Sequence, residues 1–431
     1  MIYNLTILEN EYKEVSFNNT RLNILRLTKM ALAFTVIAWL NWGTFTYVMP
    51  YVPNYIRWGL FLVWFVLALT SNKKFAKAYF VQCWPLLLFY FYMILISFFI
   101  EKNISVYIKS ISYLIMVYSI FLYYYDERYK KFQKFLCIFL FLDIVVVAIN
   151  TYIQLQINPM VARYLSTGIE TRERLLSAET FYGVGSYGYF YAMVSIILLL
   201  GFLFLNYRKK KFLALLLIFA FTVLLIKASF TIAILSTFSF FILLVVIRYT
   251  NKYIFIVITM LGITILLMFP GILTSIFGQL ADIGGIPYEV SVRFDELALF
   301  LSGYDISGTD VNARLNRYLQ SIDAFANNIT IGAVAINSNI YKAGGHSAWL
   351  DLLANFGLFS IPFFVFLFKA YEYCKNKIPK KFKPFYKVYW LYYIYLGFVN
   401  TLLFSSIYTV WFLFLPLFIS SFFEIEKSNA V

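Results

Sequence analysis

Residues 181–211 read FYGVGSYGYFYAMVSIILLLGFLFLNYRKKK, an apolar, uncharged run closed by Arg208, Lys209, Lys210 and Lys211. A helix needs about 20 mainly apolar residues to cross about 30 Å of hydrocarbon, so residues 181–205 are long enough to cross a membrane. Basic residues flanking such a span collect on the cytoplasmic side, so 208–211 mark its inner end. The same pattern recurs outward in both directions. Apolar runs stand at roughly 31–50, 55–70, 80–100, 106–125, 135–155, 212–228, 230–247, 253–274, 350–372, 388–405 and 408–423, giving about twelve in all. Within lipid every backbone polar group must be satisfied internally, so the expected fold is an all-α integral membrane protein.

Composition agrees. The chain is 62% hydrophobic and 13% charged, with a mean hydropathy of +0.76, whereas soluble domains are close to half apolar. The formal net charge of +15 comes from short basic clusters set between apolar runs, as topology requires, and not from a nucleic-acid-binding face. Cys83, Cys137 and Cys374 fall in no segment placed outside the cell, which argues against a disulfide framework or a cysteine metal site. The first thirty residues are polar and of mixed charge, which predicts a cytoplasmic N-terminal tail over 1–30 and no cleavable signal.

With the N-terminus inside, five basic clusters face the cytoplasm: Lys73/Lys74/Lys77, Arg128/Lys130/Lys131/Lys134, Arg208 to Lys211, Arg248/Lys252 and Lys375 to Lys387. Spans 1–9 then occupy 31–274, with a first outer loop at 156–180. A large outer loop covers 275–345, spans 10–12 occupy 346–423, and 424–431 form a second cytoplasmic tail. Six of the twelve arginines, Arg163, Arg172, Arg174, Arg293, Arg314 and Arg317, fall in the outer loops, the side the rule disfavours. Guanidinium presents a planar fork suited to bidentate contact with phosphate oxygens, so the set points to an anionic ligand. The alternative is solvated ion pairing with the neighbouring carboxylates.

Two segments of the large loop carry chemistry. Residues 311–329 fit an amphipathic helix with Asp310 as its N-cap. Leu315, Leu319, Ile322 and Ala326 fall on one stripe, and Arg314, Arg317, Ser321 and Asn328 on another. Arginines three apart project together and would clamp a diphosphate, or else lie solvated on a surface helix. Gly344 and Gly345 permit a turn before His346, the only histidine, after which Trp349, Leu350, Leu352, Leu353 and Phe356 begin a span. The imidazole can act as a base or as an orienting hydrogen-bond partner. Asp351, a little over one turn deeper, can orient a neighbour, act as a base or pair with an interior cation. There is no GxxxxGK[ST], no HExxH and no dinucleotide turn, so no metal or cofactor is expected.

These residues carry a resemblance. Arg314-Leu-Asn-Arg-Tyr318 with Phe325, Asn328 and Ile331-Gly332, together with His346-Ser347-Ala-Trp-Leu-Asp351-Leu-Leu-Ala-Asn-Phe-Gly357, is similar to the bacterial O-antigen polymerase/ligase superfamily, and most like the Wzy-type polymerases of polysaccharide repeat units. Arg172 with Gly183 and Arg174 with Gly185 resemble the family's arginine followed about ten residues later by glycine. Lys227 stands where ligase-like members carry Ser-Arg, a departure that tilts the reading from ligase to polymerase. The resemblance implies a GT-C-like bundle of about twelve transmembrane helices, with amphipathic helices in its long outer loop. It also implies a glycosyltransferase moving a growing glycan from undecaprenyl diphosphate to the next lipid-linked repeat unit, at the outer face of the bacterial cytoplasmic membrane.

Under that resemblance Arg314 and His346 are catalytic, and Arg172, Arg174, Arg314, Arg317 and Lys227 hold the diphosphate. Tyr318, Trp349 and Asp351 bind or orient sugar, with Tyr182 and Tyr187 as further stacking candidates. No cofactor is implied. Partners are the lipid-linked donor and acceptor and the bilayer, with a chain-length regulator as a further one and no nucleic acid. The alternatives are a ligase to another acceptor and a flippase of lipid-linked sugars.

Overall fold

The computed structural model of the chain describes residues 54–99, 104–167, 183–207, 211–249, 270–284, 287–304, 306–336, 342–402 and 405–423, with Leu32, Ala33 and Val36. Helices are the only regular elements among them, with no strand. In chain order they are α1 (Asn54–Ser71), α2 (Lys73–Phe99), α3 (Ser105–Tyr124), α4 (Lys130–Ile157), α5 (Val161–Thr167), α6 (Tyr187–Asn206), α7 (Lys211–Lys227), α8 (Thr231–Tyr249), α9 (Pro270–Ala281), α10 (Tyr288–Leu301), α11 (Asp310–Asn327), α12 (Gly332–Ala335), α13 (Ala348–Phe356), α14 (Ile361–Lys377), α15 (Lys383–Val399), α16 (Ser405–Thr409) and α17 (Leu415–Phe422).

Among the described residues six helical stretches are long and apolar enough to cross a membrane: 73–99, 105–124, 127–157, 187–206, 231–248 and 348–377. The apolar runs at 31–50 and 253–274 lie largely outside the described residues. The helix of the opening stretch, α6, is the axis of the bundle, with 89% of its most apolar window buried. It packs on α7 and α8 and reaches α15. Peripheral helices instead turn large apolar side chains outward, among them Leu62, Phe98, Phe99, Phe212 and Phe219. An apolar exterior on an all-helical bundle is what hydrocarbon surroundings require, and the molecule is an α-helical membrane protein.

The large outer loop at 275–345 is expected to contain amphipathic helices, and its described residues up to 335 are mostly helical. The first of these helices, α9, begins earlier, at Pro270, inside the run expected as the ninth span. α9 and α10 form a hairpin in which Ser291 Oγ donates to Ala281 O at 2.7 Å and the Phe277 and Phe294 rings stack at 6.0 Å. With α11 and α12 they make a layer over one end of the bundle. Tyr92 near the end of α2 donates to Ile331 O at 2.6 Å, Asn355 Nδ2 donates to the hydroxyl of Tyr107 in the first turn of α3 at 2.8 Å, and Tyr318 of α11 donates to Val399 O at the end of α15 at 3.2 Å. Lys73, Lys74, Lys375, Lys377 and Lys383 stand at the opposite ends of α2, α14 and α15.

The run at 350–372 is not one straight helix. α13 stops at Phe356, a 3-10 turn covers Gly357–Ser360, and α14 restarts at Ile361 with Pro362 in its first turn. The break is where the corner between α11 and α12 docks. Leu358 N donates to Ile329 O at 2.8 Å, and Gly332 and Gly357 both have positive φ, at 80° and 56°. A Cβ on Gly332 would lie 2.2 Å from Asn355 O, and one on Gly357 would lie 2.4 Å from Ile329 O. Backbone thus touches backbone across this seam. Gly332→Ala is expected to destabilise the protein by more than the ~1–3 kcal/mol of backbone strain alone, since the overlap adds to it. The check is the temperature at which detergent-solubilised protein loses monodispersity, which should fall by several degrees.

Candidate functional site at the capped end of the bundle

α11 forms where its period-3.6 pattern predicted, but its cap differs from expectation. Thr309 is the N-cap, its hydroxyl accepting from Asn312 N at 3.2 Å. Asp310 is the first helical residue, and its carboxylate is salt-bridged to Arg293. Threonine wins because its side chain reaches the first-turn N–H groups, which leaves Asp310 to a long-range cation.

The helix is inverted relative to a soluble amphipathic helix. Its apolar stripe, Leu315, Leu319, Ile322 and Ala326, is exposed, and its buried residues are Ser321 and Ala324, followed by Asn328 at the C-cap. A helix lying where acyl chains meet headgroups would present such a stripe outward. Its inward face meets α12 and α13, through a small apolar contact of Ala324 with Ala333 and Ala354 and a polar one at the start of α13.

The centre of that contact is Asp351. Its Oδ1 accepts from Ser321 Oγ at 2.7 Å and from Gly345 N at 3.1 Å, while Oδ2 accepts from Ser347 N at 3.2 Å. Ser321 Oγ also accepts from Gly344 N at 2.8 Å. Gly344 is where α11 comes closest, since a Cβ there would lie 2.0 Å from Arg317 O. Ser347 caps α13 by accepting from Leu350 N at 3.3 Å, and Ala348 N donates to Asn400 O at 3.0 Å. Of the three roles open to Asp351, orienting is the one its contacts fill, because both its oxygens are already engaged in holding the turn that carries His346.

His346 Nε2 is hydrogen-bonded to Arg317 Nη1. A guanidinium only donates, so Nε2 is the acceptor and the imidazole is neutral, with its proton on Nδ1. Burial, with Arg317 and then Arg314 acting in the same direction, lowers its pKa to about 4. The ring is therefore uncharged at neutral pH, with Nδ1–H free to donate and Nε2 available as a base once Arg317 turns elsewhere.

Arg314 projects from the same face toward α8, α10 and α15, where its Nη1 is buried with no hydrogen-bond partner among the described residues. Arg163 of α5 and Arg293 of α10 join it. Burial holds Arg163 below the usual guanidinium value, Arg293 and Arg314 act the same way, and Glu289 and Asp310 oppose them. Tyr187 and Tyr191 of α6 are also within electrostatic reach of Arg314. Burial raises the pKa of Tyr318, while Arg314 opposes the shift. Arg163 and Arg293 belonged to the set of outer arginines, but no local signal singled them out. Their grouping with Arg314 depends on α5 and α10 meeting through tertiary packing.

Lys227 ends α7 with its ammonium 4.9 Å from the centre of the Tyr152 ring. Trp349 is buried, donates to Ile394 O at 2.8 Å and lies against Gly397, where a Cβ would meet its indole at 1.9 Å. It is wedged between α13 and α15 and lines a cavity of about 580 Å³ between α13, α14 and α15, away from His346 and Arg314, which do not line it. Arg172, Arg174 and Tyr182 lie outside the described residues. Among the described residues no three His, Cys, Asp or Glu side chains are grouped so as to hold a metal. Compared with known proteins, the chain matches no family model and no curated protein.

Proposed function

We propose that the chain is a polysaccharide polymerase of the GT-C type, with about twelve spans in the bacterial cytoplasmic membrane and its capped end on the outer face. It would transfer a growing glycan from undecaprenyl diphosphate to a hydroxyl of the next lipid-linked repeat unit. The observation that carries this reading is the convergence of Arg314, Arg317 and a neutral His346 on one site, with the histidine's turn held by Asp351. The donor is already activated, so the chemistry needs a base or orienter for the acceptor and positive charge for the leaving group.

In this reading the donor diphosphate draws the Arg317 guanidinium away from His346 Nε2, which frees the imidazole. The acceptor oxygen gives its proton to His346 and bonds to the anomeric carbon, while the bond from that carbon to the phosphate oxygen breaks. The electron pair leaves with the lipid diphosphate, whose developing charge Arg314 and Arg317 stabilise. The proton passes from His346 to the medium.

Arg314→Lys keeps the charge and loses the fork. In cells making the cognate glycan it should cut polymer at least tenfold, leaving single repeat units on the final acceptor. A wild-type polymer ladder would exclude a bidentate contact, and absence of any repeat unit at the outer face would favour a flippase.

A further inference from the structure

A cavity of about 340 Å³ lies between the start of α8, the α10–α11 pair and the end of α15. That volume is at the small end for ligand pockets. Aliphatic side chains with Phe300, Tyr318 and Tyr395 make most of its wall. Its polar lining is Thr231, Arg293, Glu296, Asp310 and Arg314, of which Arg293 and Asp310 are salt-bridged to each other. Three buried polar atoms of lining residues have no hydrogen-bond partner among the described residues: Thr231 Oγ1, Glu296 Oε2 and Arg314 Nη1. Thr231 is only 5% exposed. It opens α8 immediately after Ser229 and Phe230, where Ser229 holds a left-handed φ of 60°, so the first-turn N–H groups of a 19-residue helix start at this cavity. Glu296 Oε1 is tied back by Asp310 N at 3.4 Å, leaving Oε2 as the unused acceptor.

Of the fourteen buried side-chain polar atoms without a partner among the described residues, these three belong to residues lining this one cavity, so together they offer hydrogen bonds to what fills it. A carboxylate only accepts, a guanidinium only donates and a hydroxyl does both. With Arg293 and Asp310 neutralising each other in their salt bridge, a simple anion would suit Arg314 and Thr231 but be repelled by Glu296, and a simple cation would reverse the conflict. A neutral polyhydroxyl ring satisfies all three. One hydroxyl donates to Glu296 Oε2 while its lone pair accepts from Arg314 Nη1, a second exchanges a hydrogen bond with Thr231, and the C–H faces lie against the aliphatic and tyrosine walls. We propose that this cavity is a sugar-binding subsite, in which Glu296 and Thr231 select the hydroxyl arrangement of one pyranose ring. Assigning that ring to a lipid-linked substrate rests on the polymerase reading. On that reading Arg314, shared between the subsite and the diphosphate, fixes the ring beside the leaving group.

The test uses the purified full-length protein in lipid nanodiscs. Saturation-transfer difference NMR is run with the methyl glycosides of glucose, galactose, mannose and N-acetylglucosamine, and inorganic pyrophosphate is followed in parallel by ³¹P line broadening. At least one glycoside should bind, and Glu296→Gln and Thr231→Val should each weaken it about tenfold, with pyrophosphate binding changed by less than about twofold. The two near-isosteric variants are carried in parallel, so that either one reports if the other fails to fold. Binding of no glycoside to the wild type, or glycoside binding that survives both substitutions, would overturn the subsite. Glycoside binding without pyrophosphate binding would keep the subsite and count against the lipid-diphosphate reading, and the converse would do the reverse.

Discussion

His346→Ala should abolish polymer while the protein still reaches the membrane, leaving single repeat units on their final acceptor. The expected loss is about 10²–10⁴-fold, the usual contribution of a positioned acid–base group. Losing an exposed orienting contact alone would cost far less. The pH profile separates the roles. The neutral ring is the active form, and its pKa is lowered to about 4, so activity carried by this group should persist below pH 6.5 and be lost only as pH falls through about 4. Burial is the main cause of that lowering and Arg317 the next. Arg317→Ala should therefore move the acid limb upward, though not to the unperturbed value, because burial remains. An in vitro polymerisation assay on lipid-linked repeat units gives both readouts. A wild-type ladder from His346→Ala, or an acid limb that ignores Arg317→Ala, would remove the histidine from the mechanism.

Asp351→Leu should cost the most stability. It leaves Gly345 N and Ser347 N without their acceptor in a buried contact, while the Ser321 hydroxyl falls back on Arg317 O at 3.2 Å. At about 1–3 kcal/mol for each unsatisfied donor, the sum is a large part of a typical folding free energy. Asp351→Asn should be milder, since one oxygen still serves Ser321 and Gly345 while the amide confronts Ser347 N. A residue that positions the turn predicts that stability and activity fall together in the order Asn, then Leu. A catalytic carboxylate would instead lose activity in the Asn variant with thermal stability unchanged. Parallel measurement of monodispersity after heating and of polymer length distinguishes them.

Much of the molecule was legible in local pattern. The alternation of apolar runs with basic clusters determined an all-helical membrane protein, because backbone in lipid must close its own hydrogen bonds whatever the neighbours are. The period of 311–329 determined a helix with Arg314, Arg317, Ser321 and Asn328 on one face, because that spacing is a property of the helix itself, and the structure closes the helix at Asn327 with Asn328 as its C-cap. Pattern could not say which face turns inward. In water the apolar stripe would, but here Ser321 meets Asp351, Ala324 packs on Ala333 and Ala354, and the leucines face out, because the residues that fill the inner side come from α12 and α13 through tertiary packing. Gly357 and Pro362 mark where the run at 350–372 can break, but that the chain does break there, to seat the backbone of Ile329 and Gly332, depends on another element. Lys227 over Tyr152, Trp349 wedged on Gly397, and the company Arg163 and Arg293 keep with Arg314 were likewise decided by packing. The opening run at 181–205 determined that α6 can cross a membrane. Only the tertiary structure made it the buried axis, with Tyr187 brought near Arg314, because burial is set by the helices that surround a span and not by the span alone.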